Sequence, residues 1–194
     1  MGLSLVRRAA TLLLAEAGLW ASVNWYTKGS GDNEDSFTSI LIKPLLAAAF
    51  GTFVGCTPRW TRDPLCSGEA TDLDARLSQP DYQLSYGPDS LVLGEFKTPV
   101  ASDKQMEDDF TKLVCMGKKC VDSLFSKGFP SPVVLIHGRG MIVDVYQLSL
   151  RAEAIYYLQA LGTFHLVSGP FEFSQLLGLG PLISAQVSRS KKNN

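Results

Sequence analysis

Residues 80–97 read PDYQLSYGPDSLVLGEFK, a pattern that predicts two β-strands joined by a tight turn. Polar and apolar side chains alternate over residues 81–86 and again over residues 91–97, on either side of a Gly-Pro-Asp-Ser turn. Side chains two residues apart share one face of a strand, so Glu95 and Lys97 are expected on the same face. Because an unpaired buried charge is costly, these two groups on an otherwise apolar strand require charged partners or a metal ion.

A third charged side chain, Asp81, begins the first of these strands, and antiparallel pairing is expected to bring it towards Glu95. Two carboxylates from neighbouring strands form the hard oxygen site that Mg²⁺ prefers, with several waters retained. Lys97 can orient or help to deprotonate an attacking water and offset the charge that develops on a phosphoryl group. Asp89 offers another Pro-Asp pair, but it lies in the predicted turn, so Asp81 is favoured as the partner of Glu95.

This order of residues, Pro-Asp, thirteen residues and then Glu-x-Lys, resembles the motif of the PD-(D/E)XK nuclease superfamily. The resemblance extends over residues 33–157, and the longer pattern is also similar to the nuclease-like open reading frames repeated in fungal genomes. It implies that Asp81 and Glu95 bind Mg²⁺ or Mn²⁺, that Lys97 is catalytic, and that Glu34 in an upstream helix adds a further catalytic acid. The implied activity is hydrolysis of phosphodiester bonds in DNA by a protein derived from a mobile element.

A long amphipathic helix is predicted over residues 102–125, because apolar residues recur on one face, a serine caps the start and acids occupy the first turns. In the resembled family the helix that follows the Glu-x-Lys strand packs beside the active site. This implies a phosphate contact for Lys112 and further substrate-binding roles for Gln105 and Lys119. The alternative is a solvated helix face on which Asp108 pairs with Lys112.

Two further regions of the chain complete the predicted sheet. Residues 132–148 predict a second hairpin around Gly-Arg-Gly, and a strand is expected next, at residues 154–158 or at residues 162–167. A final helix follows in the prediction. His137 and His165 lie in or beside apolar runs without a recognisable catalytic partner, so both are interpreted as structural.

The chain before residue 80 is predicted to contain an arm, a helix and an irregular segment. Residues 1–30 are interpreted as a helical arm and linker, and residues 31–194 as a single nuclease-like domain. A helix is expected from Asn33 onwards, in which Pro44 either causes a kink or ends the first segment, and an irregular segment is expected over residues 51–79. The arm is expected to pack on the body, with a signal peptide or a mitochondrial presequence as alternatives, and its apolar run is too short and interrupted for a membrane span.

Composition narrows the classes of function. The 194 residues include 18 basic and 19 acidic side chains and carry a net charge of −1, which excludes a uniformly basic nucleic-acid coat. The four cysteines form no C-x-x-C pair, which argues against a zinc ribbon or a disulfide scaffold. Walker, Rossmann and Ser-His-Asp patterns are also missing from the sequence. The expected location is intracellular, nuclear or cytoplasmic, with a mitochondrial location left open by the arm.

The fold predicted from these patterns is α/β, with a central mixed sheet flanked by helices in a restriction-endonuclease-like core. Two hypotheses for function follow from it. The first is a nuclease that requires Mg²⁺ or Mn²⁺ and has nucleic acid, DNA in particular, as its partner. The second is a catalytically inactive module of the same fold that binds nucleic acid or a protein. Near-neutral charge gives the second some weight, since strong DNA binding needs basic side chains that neutralise phosphates. An unrelated α/β fold would instead leave Asp81 and Glu95 far apart.

Overall fold

The structure, a computed structural model, describes residues 37–51, 53–60, 79–152 and 154–166. These residues form one six-stranded mixed sheet whose strands lie in the same order in space as in sequence. The strands are β1 (Cys56–Trp60), β2 (Tyr82–Tyr86), β3 (Asp89–Lys97), β4 (Val133–Arg139), β5 (Ile142–Ala152) and β6 (Ile155–His165). The arm over residues 1–30, Glu34 and the predicted final helix lie outside the described residues.

In the part of the chain that the structure describes, two α-helices pack on the sheet, one on each face. They are α1 (Lys43–Phe50) and α2 (Asp103–Ser126). Helix α1 and the π-helical turn before it pack on Val92 and Phe96, whereas α2 packs on Leu93. The predicted α/β class, with a central mixed sheet flanked by helices, is confirmed, and the restriction-endonuclease-like core stays a prediction. No helix among the described residues is long and apolar enough to cross a membrane.

Neighbouring strands are antiparallel except for β3 and β4, which are parallel. Parallel strands need a crossover connection, and α2 supplies it between β3 and β4. The crossover places α2 over the face of β3 that carries Glu95 and Lys97. The topology therefore covers the predicted site with a helix that bears charged side chains.

The predicted hairpin of residues 81–97 is confirmed, with a tighter turn than expected. Strand β3 begins at Asp89, so only Gly87 and Pro88 lie between the strands. Gly87 has φ = +57°, a backbone conformation that side chains with a Cβ disfavour. The alternation along β3 is also as predicted, because Leu93 faces α2 whereas Phe96 faces α1.

A π-helical turn, Thr38–Ile42, precedes α1 and accommodates Pro44. The N–H group of Lys43 bonds to the carbonyl of Thr38, five residues back, where an α-helix would use a carbonyl four residues back. Pro44 has no N–H group to donate, and it lies in the first turn of α1, where that group is not needed. The predicted division of this helix at Pro44 is confirmed.

The prediction of an irregular segment over residues 51–79 was wrong for Cys56–Trp60, which forms β1. Pro58 argues against a strand in a sequence pattern because proline cannot donate a ladder hydrogen bond. Among the described residues, β1 pairs only with β2 and so lies at an edge, where one row of its N–H groups has no described partner strand. Proline is tolerated at such a position.

The two predicted alternatives for the strand after β5, residues 154–158 and 162–167, both overlap the single strand β6. This strand runs from Ile155 to His165 and pairs with β5 over nearly its whole length, with irregularities in register at two places. The pattern typical of a strand is interrupted near Gly162. The sequence therefore predicted two short alternative strands instead of one long strand. Pairing with the long strand β5 maintains β6 through that glycine.

Helix α2 begins where predicted and is fixed at both its start and its middle. Ser102 and Gln105 form a capping box, in which each side chain bonds to the backbone of the other residue. At Gly117 an added Cβ would lie 2.8 Å from the Cδ2 atom of Leu135, so the glycine permits close packing on the sheet. Close packing in turn brings the polar face of the first half of α2 to the end of β3.

The Leu113→Ala variant is expected to lose about 2–5 kcal/mol in the free energy of unfolding, because it opens a cavity between α2 and the sheet. Leu113 is fully buried, with 0% of its surface exposed. Urea unfolding measures the loss, and Thr111→Ala on the exposed side of the same helix is the control, for which we expect a change within about 0.5 kcal/mol. Equal stability of the two variants would contradict the packing described for α2.

Candidate functional site

The charged side chains predicted for catalysis meet at the end of the β2–β3 hairpin, beneath α2. Asp81 lies just before β2, and its Oδ2 atom accepts a hydrogen bond from the N–H group of Phe96 at 2.8 Å. The register pairs Tyr82 with Gly94, which places Asp81 opposite Glu95. The two predicted metal ligands are therefore neighbours, as the sequence pattern indicated.

Asp89, the alternative acid, belongs elsewhere. It begins β3 and forms an ion pair with Lys127 after the end of α2. Six residues of extended strand, about 20 Å, separate it from Glu95. The preference for Asp81 as the acid beside Glu95 thus agrees with the structure.

Glu95 is the most buried acid of the site, with 1% of its surface exposed. The Nζ atom of Lys112 lies 2.7 Å from its Oε1 atom. This contact is an ion pair, at a distance that a charge-assisted hydrogen bond also has. Burial raises the pKa of Glu95 to about 8, and the negative charge of Asp81 adds to the rise, while Lys112 opposes it.

Lys97 points along the same face of β3 and pairs with α2. Its Nζ atom lies 3.2 Å from Oδ2 of Asp109, and both side chains are about four-fifths buried. The site as a whole holds three carboxylates and two ammonium groups. Ionisation of all five groups leaves one negative charge, and a protonated Glu95 makes the cluster neutral. This balance is consistent with the raised pKa of Glu95.

The three predicted substrate-binding residues occupy different environments. Lys112 lies in the site, bound to Glu95, so the alternative pairing with Asp108 on the helix surface was wrong. Gln105 is exposed and its amide oxygen accepts a hydrogen bond from the N–H group of Ser102, a capping role that the sequence analysis missed although Ser-x-x-Gln is a capping pattern. Lys119 is exposed on α2, about 10 Å along the helix axis from Lys112. Substrate contacts by Gln105 and Lys119 stay a prediction.

A row of polar side chains continues from Glu95 across the next three strands. The register pairs Glu95 with His137, His137 with Asp144, and Asp144 with Thr163. Thr163 donates a hydrogen bond to Oδ1 of Asp144 at 2.6 Å, and Arg139 donates to Oδ2 at 2.8 Å from Nε. The polar site among the described residues therefore extends beyond the predicted Asp81, Glu95 and Lys97.

His137 was interpreted as structural, and the structure places it directly beside Glu95 on the neighbouring strand. It is 3% exposed, its ring lies 5.3 Å from that of Phe110, and its Nε2 atom has no hydrogen-bond partner among the described residues. One signal was present in the sequence: His137 and Asp144 lie at equal distances from the centre of the hairpin turn and so pair across β4 and β5. No sequence pattern indicated that His137 lies beside Glu95, because their proximity depends on the parallel pairing of β3 with β4.

Two carboxylates of the site, those of Asp81 and Glu95, could hold a divalent cation between them. Within the described ranges no group of three or more His, Cys, Asp or Glu side chains lies close enough to hold a metal ion. Mg²⁺ is commonly bound by one or two carboxylates and retains several waters, so Asp81 and Glu95 are a sufficient set. The observation that fits a cation is that these two carboxylates lie opposite each other at the end of the hairpin, where both can supply hard oxygen ligands.

Comparisons of the chain with models of protein families, with curated proteins and with solved structures gave no match.

Proposed function

We propose that this protein is a nuclease of the PD-(D/E)XK type that requires Mg²⁺ or Mn²⁺ and hydrolyses phosphodiester bonds in DNA. One observation carries the proposal: Asp81 and the buried Glu95 lie side by side, and Lys97 shares the face of β3 with Glu95. Structural roles alone would not favour such an arrangement, because burying a carboxylate beside another carboxylate is costly.

The order of the elements supports the proposal. An antiparallel hairpin bears the acids, and a long helix, α2, comes directly after it. This is the order that the resemblance to the nuclease superfamily implies. The helix also supplies Lys112 and Asp109 to the site, as expected for a helix packed beside it.

Asp81 and Glu95 are the side chains that would hold the cation. A bound divalent cation supplies positive charge that stabilises the developing charge on a phosphoryl group. The chain itself must keep Glu95 ionised for this purpose, against the effect of burial. Lys112 contributes to that, because its ammonium group at 2.7 Å lowers the pKa that burial raises.

Lys97 is the residue that acts on the attacking water. Its ammonium group is held over the sheet by Asp109, which limits the rotamers that the long side chain can adopt. A positioned ammonium group can orient the water by hydrogen bonding and can offset negative charge on the phosphoryl oxygens. Asp109 would then be a positioning residue for Lys97.

The Lys97→Met variant is expected to cut DNA about 10²-fold more slowly than the parent, because the side chain keeps its length but loses the positioned charge. The assay follows fluorescently labelled single- and double-stranded DNA with Mg²⁺, with Mn²⁺ and with EDTA. Lys118→Met is the matched control, since Lys118 likewise pairs with an aspartate, Asp122, but lies on α2 away from the site. Absence of metal-dependent cutting by the parent, or equal cutting by parent and Lys97→Met, would contradict the proposal.

A catalytically inactive module of the same fold is the second candidate. The observation in its favour is that charges of the site are already paired within the protein, Lys112 with Glu95 and Lys97 with Asp109. Such a module would bind nucleic acid or a protein without cutting. Calorimetry with Mn²⁺ separates the two candidates, because a nuclease site must give heat that depends on Glu95, and an inactive module gives none.

A further inference from the structure

The side chain of Lys112 connects the buried carboxylate of Glu95 with the surface. Glu95 is 1% exposed, so solvent hardly reaches it. The Nζ atom of Lys112 lies 2.7 Å from Oε1 of Glu95, whereas 24% of the lysine side chain is exposed. Lys112 therefore already places a positive charge on the carboxylate that is proposed to bind a metal ion.

The charges of the site are close to balance before any metal ion binds. Its three carboxylates and two ammonium groups sum to one negative charge, which a divalent cation would change to one net positive charge. The ammonium group of Lys97 is held by Asp109, so Lys112 is the one that would share Glu95 with the cation. Like charges on one buried carboxylate repel each other strongly, because the surrounding dielectric constant is low. Departure of Lys112 from Glu95 removes this repulsion.

Lys112 can leave Glu95 by rotation of its own side chain. The helix around it is anchored by the buried side chains of Leu113 and Met116, whereas the ammonium group ends a flexible stem of four carbon atoms. An alternative partner is close by, since Asp108 is exposed and lies four residues earlier on α2. Oppositely charged side chains at this spacing lie next to each other on a helix surface. Helix α2 thus offers Lys112 one carboxylate at the surface in exchange for the buried one.

We propose that Lys112 is the internal counter-ion of Glu95 in the metal-free protein and leaves this carboxylate when a divalent cation binds. The affinity of the site for the cation then includes the free energy of breaking the Lys112–Glu95 ion pair. By thermodynamic linkage, any change that holds the side chain at position 112 more firmly on Glu95 weakens metal binding by the same factor. This inference rests on the proposed function and deepens it, because it concerns the regulation of the same metal site.

Chemical acetylation of the lysines measures the release of Lys112 directly. The full chain is treated briefly with an amine-reactive acetylating ester, in EDTA and in saturating Mg²⁺ at equal ionic strength, and mass spectrometry gives the rate at each lysine. An amine held in an ion pair reacts slowly, so acetylation of Lys112 is expected to be about tenfold faster with Mg²⁺ than in EDTA. Lys118 is the internal control, because it pairs with Asp122 away from the site, and its rate should stay within about twofold.

The Glu95→Gln variant shows whether the carboxylate is the group that protects Lys112. An amide carries no charge and holds an ammonium group much less firmly than a carboxylate does. In EDTA, Lys112 of this variant is therefore expected to react within about twofold of its rate in the metal-loaded parent, and Mg²⁺ should have no further effect. Slow acetylation of Lys112 in Glu95→Gln would show that burial by other groups protects the lysine, and would overturn the inference.

The Lys112→Arg variant tests the competition through metal affinity instead of reactivity. It retains the positive charge beside Glu95, but a guanidinium group binds a carboxylate through two parallel hydrogen bonds and is harder to displace. Calorimetry is expected to show that Lys112→Arg binds Mn²⁺ about tenfold more weakly than the parent. Lys118→Arg is the matched control and should bind Mn²⁺ as the parent does, and thermal melts verify the fold of both variants.

The outcomes also separate this inference from the proposed function. Heat from Mn²⁺ that depends on Glu95, together with an unchanged acetylation rate at Lys112, would retain the metal site and overturn the inference, because the cation then binds beside the lysine. An equal rise in rate at Lys112 and Lys118, or an unchanged Mn²⁺ affinity in Lys112→Arg, would overturn it as well. Absence of any heat that depends on Glu95 would contradict the proposed function itself, and this inference with it.

Discussion

The Glu95→Gln variant is expected to lose metal-dependent cleavage by about 10³-fold or more and to fold at least as well as the parent protein. Glutamine has the size and shape of glutamate, so the buried site keeps its packing. It carries no charge, however, so a cation held as proposed would lose one of its two carboxylate ligands. Single-turnover cleavage of labelled DNA with Mg²⁺ or Mn²⁺ measures the loss, and far-ultraviolet circular dichroism verifies the fold.

Asp89→Asn is the matched control for this experiment. It changes a carboxylate to an amide on the same strand, but at the end that pairs with Lys127. We expect it to cut at the rate of the parent within about twofold, since surface ion pairs contribute little. If Glu95→Gln also cut at the parent's rate, Glu95 would not be a ligand and the assignment of the site would be wrong.

The second large effect concerns the dependence of stability on pH. Burial raises the pKa of Glu95 to about 8 in the folded protein, whereas the unfolded chain has the usual glutamate value of 4.5. The folded state therefore binds this proton more tightly, and the contribution of Glu95 to stability is complete below pH 4.5 and is lost as the pH rises towards 8. Glutamine has no ionisable group, so in Glu95→Gln the contribution of this position to stability does not change with pH.

We therefore expect Glu95→Gln to be more stable than the parent by a few kcal/mol at pH 8.5, with the difference shrinking towards pH 5. Urea unfolding at the two pH values measures both proteins. The buried His137 also titrates, but it is present in both proteins and cancels from the difference. A constant difference between the two proteins at all pH values would show that Glu95 is not the titrating group.

Metal ions supply a second arm of the same experiment. At pH 8.5 a saturating divalent cation is expected to bind the ionised carboxylates of the folded parent and to stabilise it, by about 2.7 kcal/mol at a concentration of one hundred times Kd. The cation should stabilise Glu95→Gln much less. The difference in the free energy of unfolding between the two proteins therefore becomes smaller or changes sign. Equal gains in both proteins would indicate that the cation binds elsewhere.

The local features of this fold were predictable from the sequence, for identifiable physical reasons. Period-two alternation located the β2–β3 hairpin and placed Glu95 and Lys97 on one face, because the alternation of side chains is a property of each strand alone. The serine cap and the apolar stripe located α2 for a similar reason. The convergence of Asp81 and Glu95 followed from the hairpin, since antiparallel neighbours joined by a short turn have few registers.

The non-local features were not predictable in this way. The parallel pairing of β3 with β4 brings His137 beside Glu95, and nothing in either strand's own sequence specifies that partner. Pro58 concealed β1, because the tolerance of proline depends on an edge position that only the assembled sheet defines. The ion pair of Lys112 with Glu95 likewise depends on how closely α2 packs on the sheet, which Gly117 determines.

The parallel pair also has a consequence for the order of events in folding. Glu95 and His137 are separated by 42 residues of chain, whereas the β2–β3 and β4–β5 hairpins close over short turns. Loop closure is entropically more costly for the distant pair, so the hairpins and α2 are expected to form first and the β3–β4 contact late. Glu95 then stays hydrated until β4 docks, and its carboxylate loses its hydration mainly after the transition state for folding. Substitutions at this position are therefore expected to alter the rate of unfolding more than the rate of folding.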